Sequence, residues 1–200
     1  MAKKKPQKHN RNNILRIIGG QWRSRKLSFP DAPGLRPTPD RIRETLFNWL
    51  QADIHGANCL DLFAGSGALG LEALSRGADT VNFVEKNKAA AQQLITNLKL
   101  LDTKAAVYQL DALDYLAGVP LTQKSGGGAK HIIFLDPPYH KGLIDKSLLL
   151  LQEKNLINQD TLIYLEHESE ESYDWNNYSL NSLKETTAGQ VKCFLLNQKL

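Results

Sequence analysis

Residues 58–70 read Asn-Cys-Leu-Asp-Leu-Phe-Ala-Gly-Ser-Gly-Ala-Leu-Gly, an apolar run that enters a glycine-rich turn and continues into a second apolar segment. A short apolar run bounded by glycines predicts a buried strand, a tight turn and the start of a helix. Strand-like and helix-like segments keep alternating downstream. This alternation predicts an α/β fold, with a doubly wound, mostly parallel seven-stranded sheet and helices on both faces.

The expected elements can be placed along the chain from periodicity and turn residues. Strands are expected at residues 58–63, 80–85, 105–110, 130–136, 161–167, 178–186 and 190–196. Helices are expected at residues 39–51, 67–76, 88–100, 112–117 and 143–153, with Thr38 as the N-cap of the first. Because no helix separates the last two strands, we expect them to end the sheet as a hairpin that contributes one antiparallel strand.

The glycine turn is compatible with two kinds of nucleotide ligand. Gly65, Gly67 and Gly70 match the GxGxxG fingerprint of dinucleotide-binding proteins, so an NAD-linked oxidoreductase is one candidate. Asp61 argues against that candidate, because a carboxylate just ahead of the turn would repel a pyrophosphate. The same carboxylate would attract the ammonium group of a methionine moiety.

Two more acids end the next two predicted strands. Glu85 is placed to accept hydrogen bonds from ribose hydroxyls, and Asp111, followed by Ala112, is placed to accept from an adenine amino group. Each acid alone could equally be a helix N-cap or a first-turn acid. Together with Asp61 at one edge of a sheet, they favour S-adenosylmethionine as the cofactor.

The tetrad Asp136-Pro137-Pro138-Tyr139 follows directly on an apolar run, where a buried strand reaches the open end of the sheet. An exocyclic amino nitrogen of a nucleobase is a poor nucleophile, because its lone pair is delocalised into the ring. The Asp136 carboxylate and the Pro137 carbonyl could accept its N–H bonds and free that lone pair, while Tyr139 stacks on the base. Proline and aspartate are also common turn residues, so an ordinary strand-ending turn is the alternative.

The charge of the chain is divided unevenly. Residues 1–43 carry 12 Lys/Arg against two acids, whereas residues 44–200 carry 13 against 19, although the overall net charge is only +4. A basic arm on an acidic body is the expected footprint of a surface that binds a polyanion. Its first residues, 1–13, are expected to be a disordered tail, which could equally be solubilising. The later part alternates like a hairpin around Gly19-Gly20 and places arginines beside Trp22, which suits phosphates and unstacked bases.

Other features exclude several classes of protein. No apolar run approaches the roughly 20 residues that span a bilayer, and the polar N-terminal residues lack a signal peptide, so a cytoplasmic location is expected. Cys59 and Cys193 lie in separate apolar segments and form no metal-binding pattern, so neither a disulfide nor a metal site is expected. The acidic residues from Glu166 to Asp174 are interpreted as a solvated loop that faces away from RNA.

The chain resembles the class I S-adenosylmethionine-dependent methyltransferases, and more closely the bacterial RsmD family, which methylates a guanine N2 in 16S ribosomal RNA. The resemblance covers most of the chain. It is carried by the segments at residues 16–20 with Arg23 and Arg25, 35–38, 41–48 and 60–67, and by Glu85, Asp111 and the tetrad at 136–139. The glycine turn and the tetrad are shared by many methyltransferases, whereas the arginine-rich N-terminal motifs are more specific.

Site residues follow from the chemistry and the resemblance together. The expected catalytic residues are Asp136, Pro137, Pro138 and Tyr139. The expected cofactor-binding residues are Asp61, Phe63, Ala64, Gly65, Ser66, Gly67, Glu85, Lys86, Asp111 and Ala112. The expected RNA-binding residues are Arg16, Trp22, Arg23, Arg25, Lys26, Arg36 and Arg41.

The resemblance also implies ribosomal RNA as the partner, either free or within a particle of the small subunit, and a monomer is expected. The expected organisation is a tail at residues 1–13, an RNA-binding hairpin and connector at 14–37, and a methyltransferase domain at 38–200. Because Asp136 would serve other amino bases equally well, an amino methyltransferase acting on adenine or cytosine in RNA or DNA remains an alternative. A non-catalytic RNA-binding assembly factor is a further one.

Overall fold

The structure is a computed structural model that describes residues 13–32, 35, 37–103, 105–119, 130–139 and 141–199. Two of the expectations lie outside the described residues: Arg36 as an RNA contact, and the basic tail up to residue 12. The strands are β1 (Asn13–Arg16), β2 (Lys26–Phe29), β3 (Asn58–Asp61), β4 (Thr80–Val84), β5 (Ala106–Tyr108), β6 (His131–Leu135), β7 (Thr161–Glu168), β8 (Leu180–Ala188) and β9 (Val191–Gln198). The helices are α1 (Asp40–Trp49), α2 (Ala68–Ser75), α3 (Lys88–Leu100), α4 (Ala112–Gly118) and α5 (Leu143–Glu153), with a 3₁₀ turn at Trp175–Tyr178.

Seven strands form one sheet in the order β5-β4-β3-β6-β7-β9-β8. Strands β3 to β7 pair in parallel, and β9 lies antiparallel between β7 and β8. The predicted α/β class, the mostly parallel sheet and the single reversed strand are therefore confirmed. Strands β1 and β2 form a separate antiparallel hairpin.

The sheet is covered on both faces, as the apolar sequence of β6 requires. Ile132 and Phe134 pack in an apolar cluster with α1, α2 and α3, whereas Ile133 and Leu135 pack in a second cluster with α4 and α5. The N-terminal hairpin adds four buried side chains to the first cluster, namely Leu15, Ile17, Leu27 and Phe29. The hairpin is thus joined to the main core by apolar packing.

The parallel strands β3 to β6 end sooner than the sequence predicted, whereas β7 runs one residue past its predicted end. Strand β3 ends at Asp61 and β6 ends at Leu135, so Phe63 and Asp136 belong to the loops beyond them. Helix α1 also begins later: Pro39 occupies the N-cap position, and no side chain caps this helix. The prediction of Thr38 as the N-cap was wrong, because its hydroxyl is used elsewhere, as shown below. None of the described helices is both long and apolar enough to cross a membrane.

Candidate active site

Asp61 is the last residue of β3 and lies under the glycine turn. Its side chain is buried, and its carboxylate accepts a hydrogen bond from the Gly70 N–H at 3.1 Å. Gly67 adopts a φ of +79°, and a Cβ there would lie 2.3 Å from the Leu94 side chain. Only glycine therefore fits between this turn and α3, which keeps the turn close to Asp61.

Glu85 brings the end of the neighbouring strand β4 to the same turn. One carboxylate oxygen accepts from the Gly65 N–H at 2.7 Å, and the other accepts from the Asn87 N–H at 2.5 Å. The expected cofactor residues Phe63, Ala64 and Ser66 lie in the turn between these two carboxylates, and Ala64 and Ser66 are buried there.

Asp111 follows β5 and serves as the N-cap of α4. Its carboxylate accepts from the Leu113 N–H at 2.9 Å and pairs with the Lys86 ammonium at 2.9 Å. The adjacent Lys86 holds the pKa of Asp111 below its usual value. The structure thus shows that Asp111 is an N-cap, with buried Ala112 as the first residue of the helix.

Negative charge accumulates where β3 and β6 end side by side. Burial raises the pKa of Asp61 to about 7; the Gly70 N–H partly opposes this rise, and the charges of Asp136 and Glu85 add to it. Burial likewise raises the pKa of Asp136 to about 7, against a hydrogen bond from the Thr38 hydroxyl. A ligand that carries positive charge would stabilise the ionised form of Asp61, whereas a pyrophosphate would destabilise it.

The tetrad turns outward from the end of β6. Pro137 is buried, whereas Pro138 and Tyr139 are exposed, and Tyr139 keeps 43% of its surface accessible. An exposed ring beside the half-buried Asp136 carboxylate offers a stacking surface next to a hydrogen-bond acceptor. The predicted catalytic residues are therefore brought together at the carboxyl edge of the sheet, next to Asp61.

A shallow, open cleft lies beside the tetrad. One side is formed by Pro137, Pro138, Tyr139 and the start of α5, and the other side by residues of β7 and the loop after it. Strand β7 continues three residues beyond its pairing with β6, and β9 supports this extension, so the two strands form a wall.

The interpretation of the acidic stretch as a solvated loop was wrong for its first members. Glu166 and Glu168 are buried residues of β7 and line the cleft together with Glu171. The Tyr164 hydroxyl donates a hydrogen bond to Glu166 at 2.6 Å. Alternation along β7 places these residues on one face, a signal that could have extended the predicted strand beyond residue 167.

Two described residues that precede α1, Leu35 and Thr38, lie against the site. The Leu35 side chain lies 3.0 Å from the position that a Cβ would take at Gly65. Further along, Thr38 is buried, and its hydroxyl interacts with both Asp136 and Glu166. Sequence reasoning missed Thr38 as a site residue, because its position before a helix matched the pattern of a cap.

The predicted RNA-binding residues lie on the N-terminal hairpin and α1. Arg23, Lys26 and Arg41 are exposed. Arg25 is also exposed and donates a hydrogen bond to the Leu100 carbonyl at 3.0 Å. Arg16 is 56% exposed although it pairs with Asp40 at 2.7 Å. Trp22 is half-buried against the first apolar cluster.

The loop of the hairpin is docked on the end of α2. The Ser75 carbonyl accepts from the Gln21 N–H at 2.8 Å, and the Ser75 hydroxyl donates to the Gly19 carbonyl at 2.6 Å. Gly20 has a φ of +73°, and a Cβ there would lie 1.8 Å from the Ser75 carbonyl oxygen. The two glycines therefore allow close docking on α2, which the prediction of a simple hairpin turn did not include.

A buried ion network holds the same contact. Glu72 of α2 accepts from the Ile18 N–H at 2.9 Å and from Arg76 at 2.8 Å, and it lies 3.4 Å from Arg43. Arg43 is 1% exposed and also binds Asp40 at 2.5 Å. Arg43 is thus a structural residue, although it belongs to the basic arm of the sequence.

Comparison with known proteins identifies the family. The chain matches the family described as conserved hypothetical protein 95 over residues 15–197. It is 49% identical over 191 residues to ribosomal RNA small subunit methyltransferase D of Escherichia coli, covering 94% of this chain and 91% of that protein. The Haemophilus influenzae protein of the same name is 44% identical, covering 94% of this chain and 96% of that protein. A solved Escherichia coli structure, named as a putative methyltransferase, has a TM-score of 0.82 at 42% identity, covering 94% of this chain and 99% of that chain. The chain belongs to the RsmD family of methyltransferases and has the class I methyltransferase fold.

Proposed function

We propose that this chain transfers a methyl group from S-adenosylmethionine to the exocyclic N2 amine of a guanine in small-subunit ribosomal RNA. The observation that carries the proposal is that two half-sites lie side by side at one edge of the sheet. Asp61 ends β3, Asp136 follows the neighbouring strand β6, and their charges interact. A methyl donor held by Asp61 would therefore face an amine held by Asp136. The names of the relatives support small-subunit RNA as the substrate.

The carboxylates at the sheet edge fit the proposed cofactor. Asp61 is buried beside other acids and would bind the ammonium group of the methionine moiety. Glu85 would accept from the ribose hydroxyls, Asp111 with Ala112 would hold the adenine, and the turn at Phe63–Gly67 would pack against the methionine moiety. Lys86 would keep Asp111 in place through their ion pair.

The tetrad would activate the amine. When bound, the cofactor supplies a methyl group attached to a sulfonium sulfur, and the electron pair of the broken carbon–sulfur bond stays on the sulfur. Asp136 and the Pro137 carbonyl accept the N–H bonds of the amine, and Asp136 takes the proton that the nitrogen loses. The buried Pro137 and the exposed Pro138 restrict the conformation of the loop. Tyr139 stacks on the target base. Unstacking this base from the RNA costs roughly a few kcal/mol. Positioning supplies much of the rate.

The exposed cations at one side of the molecule would bind the phosphates of the RNA. Arg23, Arg25 and Lys26 lie on the hairpin, which the Glu72 network attaches firmly to α2. Because α2 starts at the glycine turn, the RNA-binding surface is rigidly connected to the cofactor site. Arg16, Trp22 and Arg41 extend the same surface.

The proposal is tested with tritiated S-adenosylmethionine and small-subunit particles from cells that lack this protein. We expect label in N2-methylguanosine after digestion of the RNA and mass spectrometry. Asp136→Ala should abolish transfer and still bind S-adenosylhomocysteine, whereas Asp79→Asn, at an exposed position, should behave as the unaltered protein. Label in methylated adenine or cytosine would support the alternative base, and RNA binding without transfer would support an assembly factor.

A further inference from the structure

The cleft beside the tetrad is lined by carboxylates that the proposed mechanism does not use, and Glu166 is the one that lies next to Asp136. Asp136 and Glu166 directly follow Leu135 and Leu165, which are register partners on parallel strands. The two acids therefore leave the sheet side by side, and their charges interact. Glu166 is 3% exposed and lines the cleft with Pro137 and Tyr139.

Neighbouring groups orient the Glu166 carboxylate. The Tyr164 hydroxyl donates to one of its oxygens at 2.6 Å, and the Thr38 hydroxyl is a further hydrogen-bonding partner. Cys193 is the residue opposite Glu166 in the register of β7 and β9. A carboxylate has two oxygens with about four acceptor sites, so it can still accept a donor from a ligand. Burial and the charge of Asp136 raise the pKa of Glu166, and a ligand N–H that donates to the carboxylate would oppose this rise and favour its ionised form.

The edges of the bases differ at the atom beside the reacting amine. Guanine presents an N1–H next to its N2 amine, so both groups donate. Adenine and cytosine present an unprotonated ring nitrogen next to the amine, which accepts. Two neighbouring carboxylates match the first arrangement and conflict with the second, because an ionised carboxylate only accepts.

We infer that Glu166 accepts the N1–H of the target base while Asp136 accepts from the amine, which makes Glu166 the residue that selects guanine. The inference rests on the proposed function and deepens it. A site built to hydrogen-bond a donor rejects an analogue that lacks it by roughly 10⁴-fold, because its own polar group is left unpaired. Asp136 alone would give no such discrimination.

The experiment compares RNAs that differ only in the target base. The nucleotide methylated by the unaltered protein is mapped first, and RNAs with guanine, adenine or cytosine at that position are then assayed for kcat/KM. Glu166→Gln should lower kcat/KM for guanine by roughly 100-fold and the guanine-to-adenine ratio by more than tenfold, because the amide can donate as well as accept. Glu170→Gln, at an exposed position nearby, should leave both values unchanged.

The readouts separate this inference from the proposed function. Equal affinity of the Glu166→Gln variant for S-adenosylhomocysteine would show that the fold and the cofactor site are intact. Tyr164→Phe, which removes the hydroxyl that orients Glu166, should reduce the guanine-to-adenine ratio in the same direction by a smaller factor. If the unaltered protein methylates guanine and Glu166→Gln keeps its selectivity, the inference is overturned while the proposed function stands. If the unaltered protein transfers no methyl to RNA, the proposed function fails, and this inference fails with it.

Discussion

Replacing Asp61 by asparagine should make the ligand-free protein more stable at pH 8 and should weaken its binding of S-adenosylmethionine. Asparagine has nearly the same shape as aspartate, and its side-chain oxygen can still accept the Gly70 N–H. The substitution therefore removes the buried charge and little else. A stabilising change at a site proposed to bind the cofactor is a direct consequence of the acidic environment described above.

The magnitude follows from the shift of one pKa. Asp61 has its pKa raised from 3.8 to about 7 in the folded protein, so the folded state binds a proton more tightly than the unfolded state. Protonated Asp61 therefore contributes to the free energy of unfolding below about pH 4, and this contribution is lost as the pH rises through about 7. Because one pKa unit corresponds to about 1.4 kcal/mol, ionisation of Asp61 lowers the free energy of unfolding by at most about 4 kcal/mol above pH 7. We expect a gain of about 2 kcal/mol for Asp61→Asn at pH 8, or roughly 4–8 °C in Tm.

Thermal unfolding of the ligand-free protein at pH 5 and pH 8 measures this effect, with Asp79→Asn as the control at an exposed position. The advantage of Asp61→Asn should be smaller at pH 5, where the aspartate is largely protonated. Calorimetric titration of the same variant should show at least about tenfold weaker binding of S-adenosylmethionine, since the ammonium loses its ionic partner. An unchanged Tm at pH 8 together with unchanged binding would refute the account of Asp61.

Three further predictions concern the RNA surface, the buried ion network and the stacking ring. Arg23→Glu with Arg25→Glu should weaken RNA binding and reduce the slope of log Kd against log salt by roughly one per lost phosphate contact, measured by fluorescence anisotropy; an unchanged slope would make the hairpin purely structural. Glu72→Gln should destabilise the protein by about 3 kcal/mol in urea unfolding, because Arg76 loses its carboxylate partner and buried Arg43 keeps only Asp40 as an ionic partner among the described residues; equal stability would contradict the described network. Tyr139→Ala should lower kcat/KM for RNA by roughly 10–100-fold with Tyr139→Phe near normal, because stacking contributes about 1–3 kcal/mol; similar losses in both variants would point to the hydroxyl instead.

Local chemistry explains which elements could be predicted. The bounds predicted for α3 and α5 match the structure, and α3 shows why: Asn87 caps it by accepting from the N–H groups of Ala89 and Ala90. Such caps depend on residues that are close in the sequence. The mostly parallel sheet followed from the alternation of elements along the chain, and the single reversed strand followed from the missing helix between the last two strands.

The features that were missed depend on contacts between distant parts of the chain. Thr38 has the sequence context of a helix cap, but its hydroxyl interacts with the carboxylates that follow β6 and β7. Glu166 lies in a run of acids typical of a solvated loop, yet β9 extends β7 and buries it. Gly20 appeared to serve a hairpin turn, but its close approach to Ser75 docks the hairpin on α2. Sequence periodicity carries no information on these partners.

The most direct test of the central claim is a crystal structure of the protein with S-adenosylhomocysteine bound. The account predicts the amino group of the ligand beside Asp61, its ribose at Glu85, and its sulfur facing the space between Asp136 and Tyr139. A ligand bound in this orientation would leave the cleft beside Glu166 open for the base. A ligand bound away from Asp61, or with its sulfur turned from the tetrad, would contradict the proposal that the two half-sites act together.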